Sequence, residues 1–561
     1  MIKERAYLQS HYKTLIDEGI DSVLARILAS RGISSAKAHE MKLANLLPAD
    51  DLMHCGRAAK VILDAITSKS EICIVADYDA DGATACALGM SVLRKLGANV
   101  SYFVPDRQKH GYGLTPEISR LVGQMGTKLL ITVDNGMASV TGVTTAKELG
   151  MTVLITDHHL PAEKLPKADC IVNPNQPNDV FQSKNLAGVG VMFYVLIALR
   201  QLMINTTLID KASAPNLADY LDLVALGTIA DVVPLDQNNR ILVSNGLRRM
   251  RLGKTRPGIR ALFSVANRQL KNARASDLGF SIGPRLNAAG RLDDMKVGIE
   301  CLLAENELQA QQLATQLDNL NIERREIEKD MMEQALDSVK LEKLRAVNGA
   351  VIYDERWHPG VVGILASRIK DKIKKPTIAF ANSDQKTIKG SGRSTKGIHL
   401  RDTLDEITKR DPNLIIKFGG HAAAAGLEIE KSKLDNFSVQ FDHVVSKALQ
   451  ITDIDSDDFT DGELSADKLT TEFAQTLSNI PWGQSFPEPT FRNQFEVVSQ
   501  KLLKDAHLKL VLRFPKTNLE LDAIYFNQRE FASDRVDCIY RVEINDFYKH
   551  RHLQLILNRW L

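Results

Sequence analysis

The sequence lacks the features that mark a secreted, membrane-bound or disulfide-stabilised protein. Its six cysteines are scattered without a Cys-x-x-Cys pair, which argues against a disulfide framework, a redox motif or a zinc ribbon. The longest apolar run, Val191–Leu199, is too short to cross a bilayer, and residues 1–19 contain no apolar signal core. The formal net charge is only +2, so bulk charge does not require a nucleic acid or a membrane as partner. We therefore expect a cytoplasmic protein that does not contact a membrane and whose basic surfaces are local.

Length and hydrophobic patterning predict several domains. A chain of 561 residues is too long for one core. Apolar residues at helical spacing predict a helical cap over residues 1–45. Short apolar strands that alternate with amphipathic helices predict a doubly wound, parallel α/β domain over 46–300. Residues 301–345 contain neither glycine nor proline, and we expect one or two long helices there that connect to a second, smaller α/β domain over 346–450.

The last hundred residues have a different pattern. An acidic run over 451–462 predicts a linker. Segments of alternating polar and apolar residues over 463–561 predict a small β-barrel. Aromatic and basic side chains are interleaved in these segments, as in barrels that hold single-stranded nucleic acids.

Acidic and imidazole side chains follow the predicted strands of the first α/β domain. Any one of these acids would usually be a helix N-cap. Several carboxylates at one edge of a sheet repel one another, however, and need a cation to neutralise them. Oxygen ligands with one or two imidazoles suit Mn²⁺ or Mg²⁺. The candidates are Asp77 and Asp79 after the first strand, Asp134 after the third, Asp157, His158 and His159 after the fourth, and Asp231 after a predicted turn at Gly227 and Thr228.

Several motifs, in this order, resemble those of the DHH phosphoesterase superfamily, and within it the bacterial single-strand-specific DNA exonucleases. They are DYDADG (77–82), TVDNG (132–136), TDHH (156–159), GTIADVVPL (227–235), DLGFSIGPRLNAAGRLDDM (277–295), KGSGRS (389–394) and KFGGHAAAAGL (417–427). The resemblance extends through nearly the whole chain. It implies a metal-dependent exonuclease that degrades single-stranded DNA from the 5′ end to mononucleotides in DNA repair and recombination, with an OB-like C-terminal barrel.

The same resemblance implies a catalytic site with two Mn²⁺ or Mg²⁺ ions. Asp77 would bind one ion, Asp134 would lie between the two, and Asp79, His158 and Asp231 would bind the other. Several DHH families have a histidine shortly before the first acid, whereas this chain offers only Cys73 and Ala76 there. No ligand is predicted from that gap, for which Asp81 could compensate.

His159 is the second imidazole of the site and has two possible roles. It is a candidate for contact with the substrate phosphate or for proton transfer. The alternative is that it only orients a ligand by hydrogen bonding.

Substrate-binding residues are predicted from the loops and motifs near the acids. Arg107 and His110 lie in a loop after the second strand, which could equally be a simple surface turn. The segment PRLNAAGR favours phosphate binding, with helix packing as the alternative. The basic run over 248–274 is expected to be partly solvated surface and partly a track for DNA. The remaining predicted contacts are Arg285, Asn287, Arg291, Arg393, His421, Lys549 and Arg551.

Two other functions remain open at this point. One is a DHH phosphodiesterase that acts on small oligonucleotides or cyclic dinucleotides, and the other is a non-catalytic single-strand-binding relative. The intact acids disfavour the second, and the barrel and the basic run disfavour the first. The family also suggests single-strand-binding protein and recombination helicases as partners, and we expect a monomer.

Overall fold

The computed structural model describes residues 2–106, 109–110, 113–161, 164–338, 341–420, 422–451, 458–545 and 551–560. The chain divides into two compact units. The first unit contains residues 1–290, 294–317 and 457–561, and the second contains residues 291–293 and 318–456.

The first unit begins with a strand and four helices. They are β1 (Ile2–Glu4), α1 (Gln9–Asp17), α2 (Ser22–Ala29), α3 (Ala36–His39) and α4 (Cys55–Thr67). The sequence predicted only helices before residue 45, and β1 is therefore a correction. Its reason is tertiary, because β1 pairs with a strand more than 450 positions later in the chain, from Asp458 to Thr460.

A five-stranded parallel sheet follows. Its elements are β2 (Ile72–Ala76), α5 (Ala80–Lys95), β3 (Val100–Phe103), α6 (Pro116–Gln124), β4 (Leu129–Val133), α7 (Val140–Glu148), β5 (Thr152–Thr156) and β6 (Cys170–Val172). The strand order is β3-β2-β4-β5-β6, with every pair parallel. Strands β2 and β4 are buried along their whole length, which explains why all their residues except Thr132 are apolar. The order reverses between β2 and β4, and sheets of this kind bind ligands at such a switch point.

Helices surround this sheet and complete the first α/β region. They are α8 (Gly188–Asn205), α9 (Leu221–Ala230), α10 (Gln237–Arg251), α11 (Pro257–Val265), α12 (Ala275–Asp277), α13 (Gly283–Leu292) and α14 (Lys296–Leu303), with one π-helical turn at Leu278–Ile282. Among the described residues, α8 alone is long and apolar enough to cross a membrane, but 61% of it is buried inside the protein, as in a core helix. The turn predicted at Gly227 and Thr228 is wrong, because both residues lie inside α9.

Gly227 lies where α9 packs closely against α5. A Cβ atom at this position would lie 2.2 Å from the Thr84 hydroxyl on α5. The glycine therefore lets α9 approach α5 closely.

The second unit is built around a mixed sheet. Its elements are the remainder of α15 (Glu307–Ser338), α16 (Leu341–Ala346), β7 (Ala350–Tyr353), α17 (Val362–Ile373), β8 (Thr377–Asn382), β9 (Thr387–Arg393), α18 (Leu400–Arg410), β10 (Lys417–Gly420), β11 (Ala424–Glu430) and α19 (Leu434–Ile451). The strand order is β10-β11-β9-β8-β7, and only β7 and β8 pair in parallel. The predicted long helix is present as α15, although residues 301–303 belong to α14.

The C-terminal residues of the first unit form a closed barrel. Before the barrel come β12 (Asp458–Thr460), which pairs with β1, and α20 (Thr471–Asn479). The barrel strands are β13 (Phe491–Leu503), β14 (His507–Arg513), β15 (Glu520–Tyr525), β16 (Arg535–Asn545) and β17 (His552–Trp560). The order around the barrel is β13-β14-β15-β17-β16. This confirms the predicted fold class, a doubly wound α/β domain with a smaller α/β domain and a C-terminal barrel.

A buried ion pair joins the N-terminal helices to the segment before the barrel. Arg31 binds Asp461 through two hydrogen bonds of 2.6 and 3.0 Å, and both side chains are only 1% exposed. The Arg31 guanidinium also lies 5.3 Å from the ring centre of Trp482. The residues predicted as a separate cap therefore pack against the C-terminal region.

Candidate metal centre

The predicted ligands meet at the carboxyl edge of the parallel sheet. Asp77 follows β2, Asp134 follows β4 and His158 comes shortly after β5. Asp231 comes instead from a helix, as the C-terminal cap of α9. His158 Nε2 lies 3.1 Å from Asp134 Oδ1 and 3.4 Å from Asp231 Oδ2. Asp77 and Asp134 flank the switch point of the sheet.

Candidate ligand atoms form three overlapping groups among the described residues, each with all its atoms within 4.8 Å of one another. The groups are Asp77, Asp79 and Asp134; Asp81, His158 and Asp231; and Asp134, His158 and His159. Asp79 is thus grouped with Asp77, whereas the resemblance had placed it with His158 and Asp231. Asp81 takes that place, and its only signal in the sequence is that it is the third acid of DYDADG.

The chemistry of these side chains fits a divalent cation. Asp134 Oδ1, His158 Nε2 and Asp231 Oδ2 are buried, and none makes a hydrogen bond of acceptable geometry with a described residue. Burial, together with the neighbouring carboxylates, raises the pKa of Asp134 and of Asp231 well above the usual range. Burial and the charge of His159 lower the pKa of His158 to about 3, which leaves its imidazole neutral and able to bind a metal. A cation would satisfy all three atoms.

Asp81 is held at the start of α8. Its carboxylate accepts hydrogen bonds from the backbone of Gly188 at 2.6 Å and of Val189 at 2.9 Å. Burial and the nearby Asp79 raise its pKa to about 7. The N-terminus of α8 therefore fixes this acid next to His158, whose Nε2 lies 4.0 Å from Asp81 Oδ2.

The backbone at Asp134 has an uncommon conformation. Its φ angle is +62°, in the left-handed region that few residues other than glycine adopt. A Cβ atom on Gly188 would lie 2.6 Å from the Asp134 Cβ and 2.8 Å from Oδ1. The carboxylate therefore fits only because residue 188 has no side chain. No pattern in the sequence indicates this role for Gly188.

The two histidines of the motif have different environments. His159 Nδ1 lies 2.7 Å from Asp157 Oδ1, and the backbone of Met137 donates to the other oxygen of Asp157 at 2.9 Å. Burial alone would lower the pKa of His159, but the hydrogen bond and charge of Asp157 outweigh it and raise the pKa to about 9. Burial would likewise raise the pKa of Asp157, yet His159 brings it down to about 2. His159 is thus a positively charged, partly exposed group beside the carboxylates.

Helix α13 supports the loop that carries the first acids. The Asp79 carboxylate caps α5 by accepting from the backbone of Asp81 at 2.9 Å, and Asn287 Oδ1 accepts from the backbone of Ala80 at 2.8 Å. A Cβ atom on Gly290 would lie 1.8 Å from the Tyr78 carbonyl oxygen. Asn287 and Gly290 thus hold α13 against this loop, and the contact of Asn287 with substrate stays a prediction.

The predicted contacts in the first unit have protein partners. Arg285 is only 7% exposed and donates to the Ser281 carbonyl at 2.6 Å. His110 Nδ1 accepts from the backbone of Asp106 at 3.0 Å. Arg551 donates to Gln475 Oε1 at 2.8 Å. Their contact with substrate stays a prediction.

In the second unit, Arg291 donates to the Gly360 carbonyl at 3.1 Å. Arg393 donates to the Ser391 hydroxyl at 3.0 Å and to the Gly392 carbonyl at 2.7 Å. Arg107, His421 and Lys549 lie outside the described residues.

The strand before Asp77, where several DHH families have a histidine, carries Cys73 instead. Cys73 is fully buried, and burial raises its pKa to about 11, so it remains a protonated thiol. All six cysteines are buried and unpaired, as the sequence predicted.

Much of the basic run over 248–274 is neutralised within the protein. Five of its arginines lie within salt-bridge distance of acids outside the run, which makes the predicted DNA track less extensive than the composition suggests. The pairs are Arg249 with Asp219 (2.9 Å), Arg256 with Asp222 (3.1 Å), Arg260 with Glu307, Arg268 with Asp277 (3.6 Å) and Arg274 with Glu543 (3.6 Å).

Three family models match the chain. The DHH family N-terminal domain matches residues 71–228, the DHHA1 domain matches 346–447 and the RecJ OB domain matches 460–559. The last match identifies the closed barrel as an OB fold.

Full-length relatives and solved structures agree with the family models. The chain is 46% identical to the single-stranded-DNA-specific exonuclease RecJ of Salmonella typhimurium over 550 residues, which cover 96% of this chain and 95% of that protein. Its identity to RecJ of Escherichia coli strain K12 is also 46%, over 96% of both chains. The crystal structure of RecJ from Thermus thermophilus in complex with Mn²⁺ has a TM-score of 0.83 at 26% identity and covers 100% of this chain and 79% of that one. A second structure of that protein, with Mg²⁺, has a TM-score of 0.75 at 26% identity and covers 99% of this chain and 78% of that one. The chain therefore belongs to the RecJ family of single-stranded-DNA-specific exonucleases.

Proposed function

We propose that this protein hydrolyses single-stranded DNA from its 5′ end to mononucleotides in a reaction that depends on Mn²⁺ or Mg²⁺. The observation that carries the proposal is the contact of His158 with Asp134 and Asp231 at 3.1 and 3.4 Å, in a buried site where the described residues offer these atoms no hydrogen bonds. Such a site is costly to fold unless a cation binds there. The same chain contains an OB barrel, a fold that commonly binds single-stranded nucleic acids.

Two ions fit the arrangement of the ligands. Asp77 and Asp79 would hold the first, and His158 and Asp231, with Asp81 close by, would hold the second. Asp134 belongs both to the group of Asp77 and Asp79 and to a group with His158, and it would therefore lie between the two ions. Two divalent ions supply Lewis acidity toward the scissile phosphate and the attacking and leaving oxygens.

His159 is the residue that we assign to the substrate phosphate. Its side chain is 45% exposed, and the salt bridge to Asp157 holds it in the charged form, with a pKa of about 9. A fixed imidazolium beside a phosphodiester can donate a charge-assisted hydrogen bond to a non-bridging oxygen.

The cellular setting follows from the proposed activity. An enzyme that removes single strands from the 5′ end would act in DNA repair and recombination in the cytoplasm. We propose that it works as a monomer beside single-strand-binding protein and recombination helicases.

The test uses single-stranded DNA labelled at either end. With Mn²⁺ or Mg²⁺ the protein should release mononucleotides from the 5′ end, and the Asp134→Ala variant should lose cleavage and keep most of its DNA binding, because the barrel surface is elsewhere in the fold. Asp210→Ala, which removes an exposed acid that belongs to none of the candidate ligand groups, is the matched control and should behave as wild type. Near-normal activity of Asp134→Ala, or faster cleavage of dinucleotides than of long strands, would overturn the proposal.

A further inference from the structure

Arg240, on α10, is a buried cation that belongs to no part of the metal centre. The residue is only 5% exposed. Its Nε is buried without a hydrogen-bond partner, and its guanidinium forms neither a hydrogen bond nor a salt bridge with any described residue. Buried charges in proteins usually have an oppositely charged or hydrogen-bonded partner, because they have lost their hydration. The described part of the fold leaves the N–H donors of Arg240 unused.

The contact that Arg240 does make is with an aromatic ring. Its guanidinium lies 4.3 Å from the ring centre of Phe486, which is stacked on Trp482 with the two ring centres 5.2 Å apart. A guanidinium stacks through its flat face, whereas its five N–H groups point outward in its plane. Stacking on Phe486 therefore leaves these donors available to a ligand.

Asp236, the N-cap of α10, lies four residues before Arg240 but hydrogen bonds elsewhere. Its Oδ2 accepts from the Ser183 hydroxyl at 2.7 Å, and its Oδ1 accepts from the backbone of Asn239 at 3.0 Å. Burial lowers the pKa of Arg240 to about 10, and the charge of Asp236 opposes this only in part. Arg240 is therefore still charged at pH 7.

A cavity of about 270 Å³ adjoins Arg240. Its walls come from three segments of the first unit that are distant in the chain, namely the end of α3, the middle of α10 and the end of α20. Ser244 lines the cavity and lies one helical turn after Arg240, on the same face of α10. His39 also lines it, and burial together with the charge of Arg240 lowers the pKa of His39. Both relations place the guanidinium at the wall of this cavity.

Three of the polar groups that line the cavity can donate hydrogen bonds into it. The Ser244 hydroxyl has no hydrogen bond with a described residue, and His39 Nδ1 is buried without a partner. Asn479 Oδ1 accepts from Gln475 at 3.2 Å, which leaves the amide N–H groups of Asn479 for a ligand. None of the described residues that line the cavity is acidic. Neutral donors beside a cation, without a carboxylate, suit an anion.

We propose that this cavity binds a phosphate group, with Arg240 as its counter-charge. A guanidinium pairs with phosphate through two parallel hydrogen bonds, and the other phosphate oxygens can accept from the donors on α3, α10 and α20. The cavity is slightly smaller than the pockets of about 300 to 1,000 Å³ that hold drug-sized ligands. It therefore fits free phosphate or a nucleoside monophosphate better than a peptide or a nucleic-acid strand. None of its residues belongs to a candidate metal group, so the site goes beyond the proposed function.

The experiment measures phosphate binding to the full-length protein in EDTA. Without divalent ions the carboxylates of the metal centre repel phosphate, so that centre does not contribute. Calorimetric titration with sodium phosphate, at an ionic strength held constant with sodium chloride, should show one site, and phosphate should raise the Tm. Arg240→Gln should weaken binding by about 10- to 150-fold, and Ser244→Ala by about 2- to 10-fold. Arg248→Gln removes an exposed cation further along α10 and is the matched control, expected to bind phosphate as wild type does.

A titration with dAMP identifies the source of the phosphate group. Binding of dAMP that is tighter than that of phosphate, and that is lost in Arg240→Gln, would assign the cavity to a nucleoside monophosphate. Equal or weaker binding of dAMP, with the same dependence on Arg240, would assign it to free phosphate. Either result supports the site.

Three results would overturn the proposal. They are the absence of saturable binding of phosphate and dAMP to wild type, equal affinities of wild type and Arg240→Gln, and acetate binding as tight as that of phosphate. If Arg240→Gln does not fold, Ser244→Ala decides the question, because an unchanged affinity in that variant would also overturn the proposal. These measurements involve neither metal nor DNA cleavage, so their failure would leave the exonuclease proposal intact.

Discussion

Arg256 lies in the basic run, and its replacement by alanine should destabilise the protein without changing its salt-dependent binding to DNA. The side chain binds Asp222, near the start of α9, through Nε at 3.2 Å and Nη2 at 3.1 Å. The Asp222 side chain is completely buried and that of Arg256 is 13% exposed. Burial would raise the pKa of Asp222, but the charge of Arg256 and the hydrogen bonds around it outweigh this and lower the pKa.

The magnitude follows from the partners that remain. Removal of one member of a buried ion pair costs about 3 to 5 kcal/mol. In Arg256→Ala, Asp222 would keep hydrogen bonds from the Thr255 hydroxyl at 2.7 Å and from the backbone of Leu223 at 2.9 Å. The loss should therefore lie at the low end, at about 3 kcal/mol.

The assay is urea unfolding followed by circular dichroism at pH 7. Lys254→Ala removes an exposed positive charge two residues away and is the matched control, expected to change stability by less than about 0.5 kcal/mol. The pair stabilises the fold above the unfolded-state pKa of an aspartate, near pH 4. The pKa of Asp222 in the folded protein is lower than this unfolded-state value. The difference in unfolding free energy between wild type and Arg256→Ala should therefore shrink as the pH falls through the folded-state pKa of Asp222. Equal stability of the two variants, or a reduced salt slope for DNA binding with unchanged stability, would refute this reasoning and put Arg256 on the DNA track.

Two further substitutions test the positions of the metal ligands and of the N-terminal segment. Gly188→Ala should push the Asp134 carboxylate aside and reduce metal-dependent activity by about tenfold or more, measured as a function of Mn²⁺ concentration. Gly56→Ala is the control, because a Cβ atom there would meet no atom within 4 Å, and it should keep normal activity. Equal activity of the two variants would contradict the close packing at Gly188. Arg31→Ala removes the nearest partner of the buried Asp461. Asp461 keeps Arg5 at 3.9 Å and hydrogen bonds from the Ser30 hydroxyl and the Thr490 backbone, so the loss should lie at the low end of the range for a buried pair, at about 3 kcal/mol. Limited proteolysis should then cut the N-terminal helices first, and an unchanged cleavage pattern would argue against the ion pair as their anchor.

The parallel sheet and the acids at its edge could be predicted from local patterns. Strands such as Ile72–Ala76 are continuous apolar runs because both faces are buried, and this leaves a clear signal in the sequence. The chain direction then carries Asp77, Asp134 and His158 to one edge without any knowledge of packing. The barrel was equally visible, since its strands alternate between a buried and an exposed face.

The helix before Asp231 could not be predicted, because its glycine and threonine have the composition of a turn. Residue 227 is a glycine for another reason, because a side chain there would collide with Thr84 on α5. The same limit applies to Gly188, whose missing side chain makes room for Asp134. Close packing between segments distant in the chain has no local signature.

The pairing of charges was also beyond the sequence. The basic run contains no acid of its own, and composition alone favours a surface for DNA. The structure supplies acids such as Asp222 and Glu543 from distant segments, and it groups Asp81 with His158 where the motif suggested Asp79. An electrostatic partner is selected by distance in space, which linear order does not encode.

The sequence by itself determined the fold class, the family and the residue types of the metal centre, because hydrophobic periodicity and short motifs are local properties of the chain. Only the tertiary structure decided which acids lie together in a candidate metal group, which histidine is neutral and which arginines form salt bridges within the protein. Those outcomes depend on burial and on short distances between atoms, such as the 3.1 Å from His158 to Asp134. They arise only when separate segments pack together.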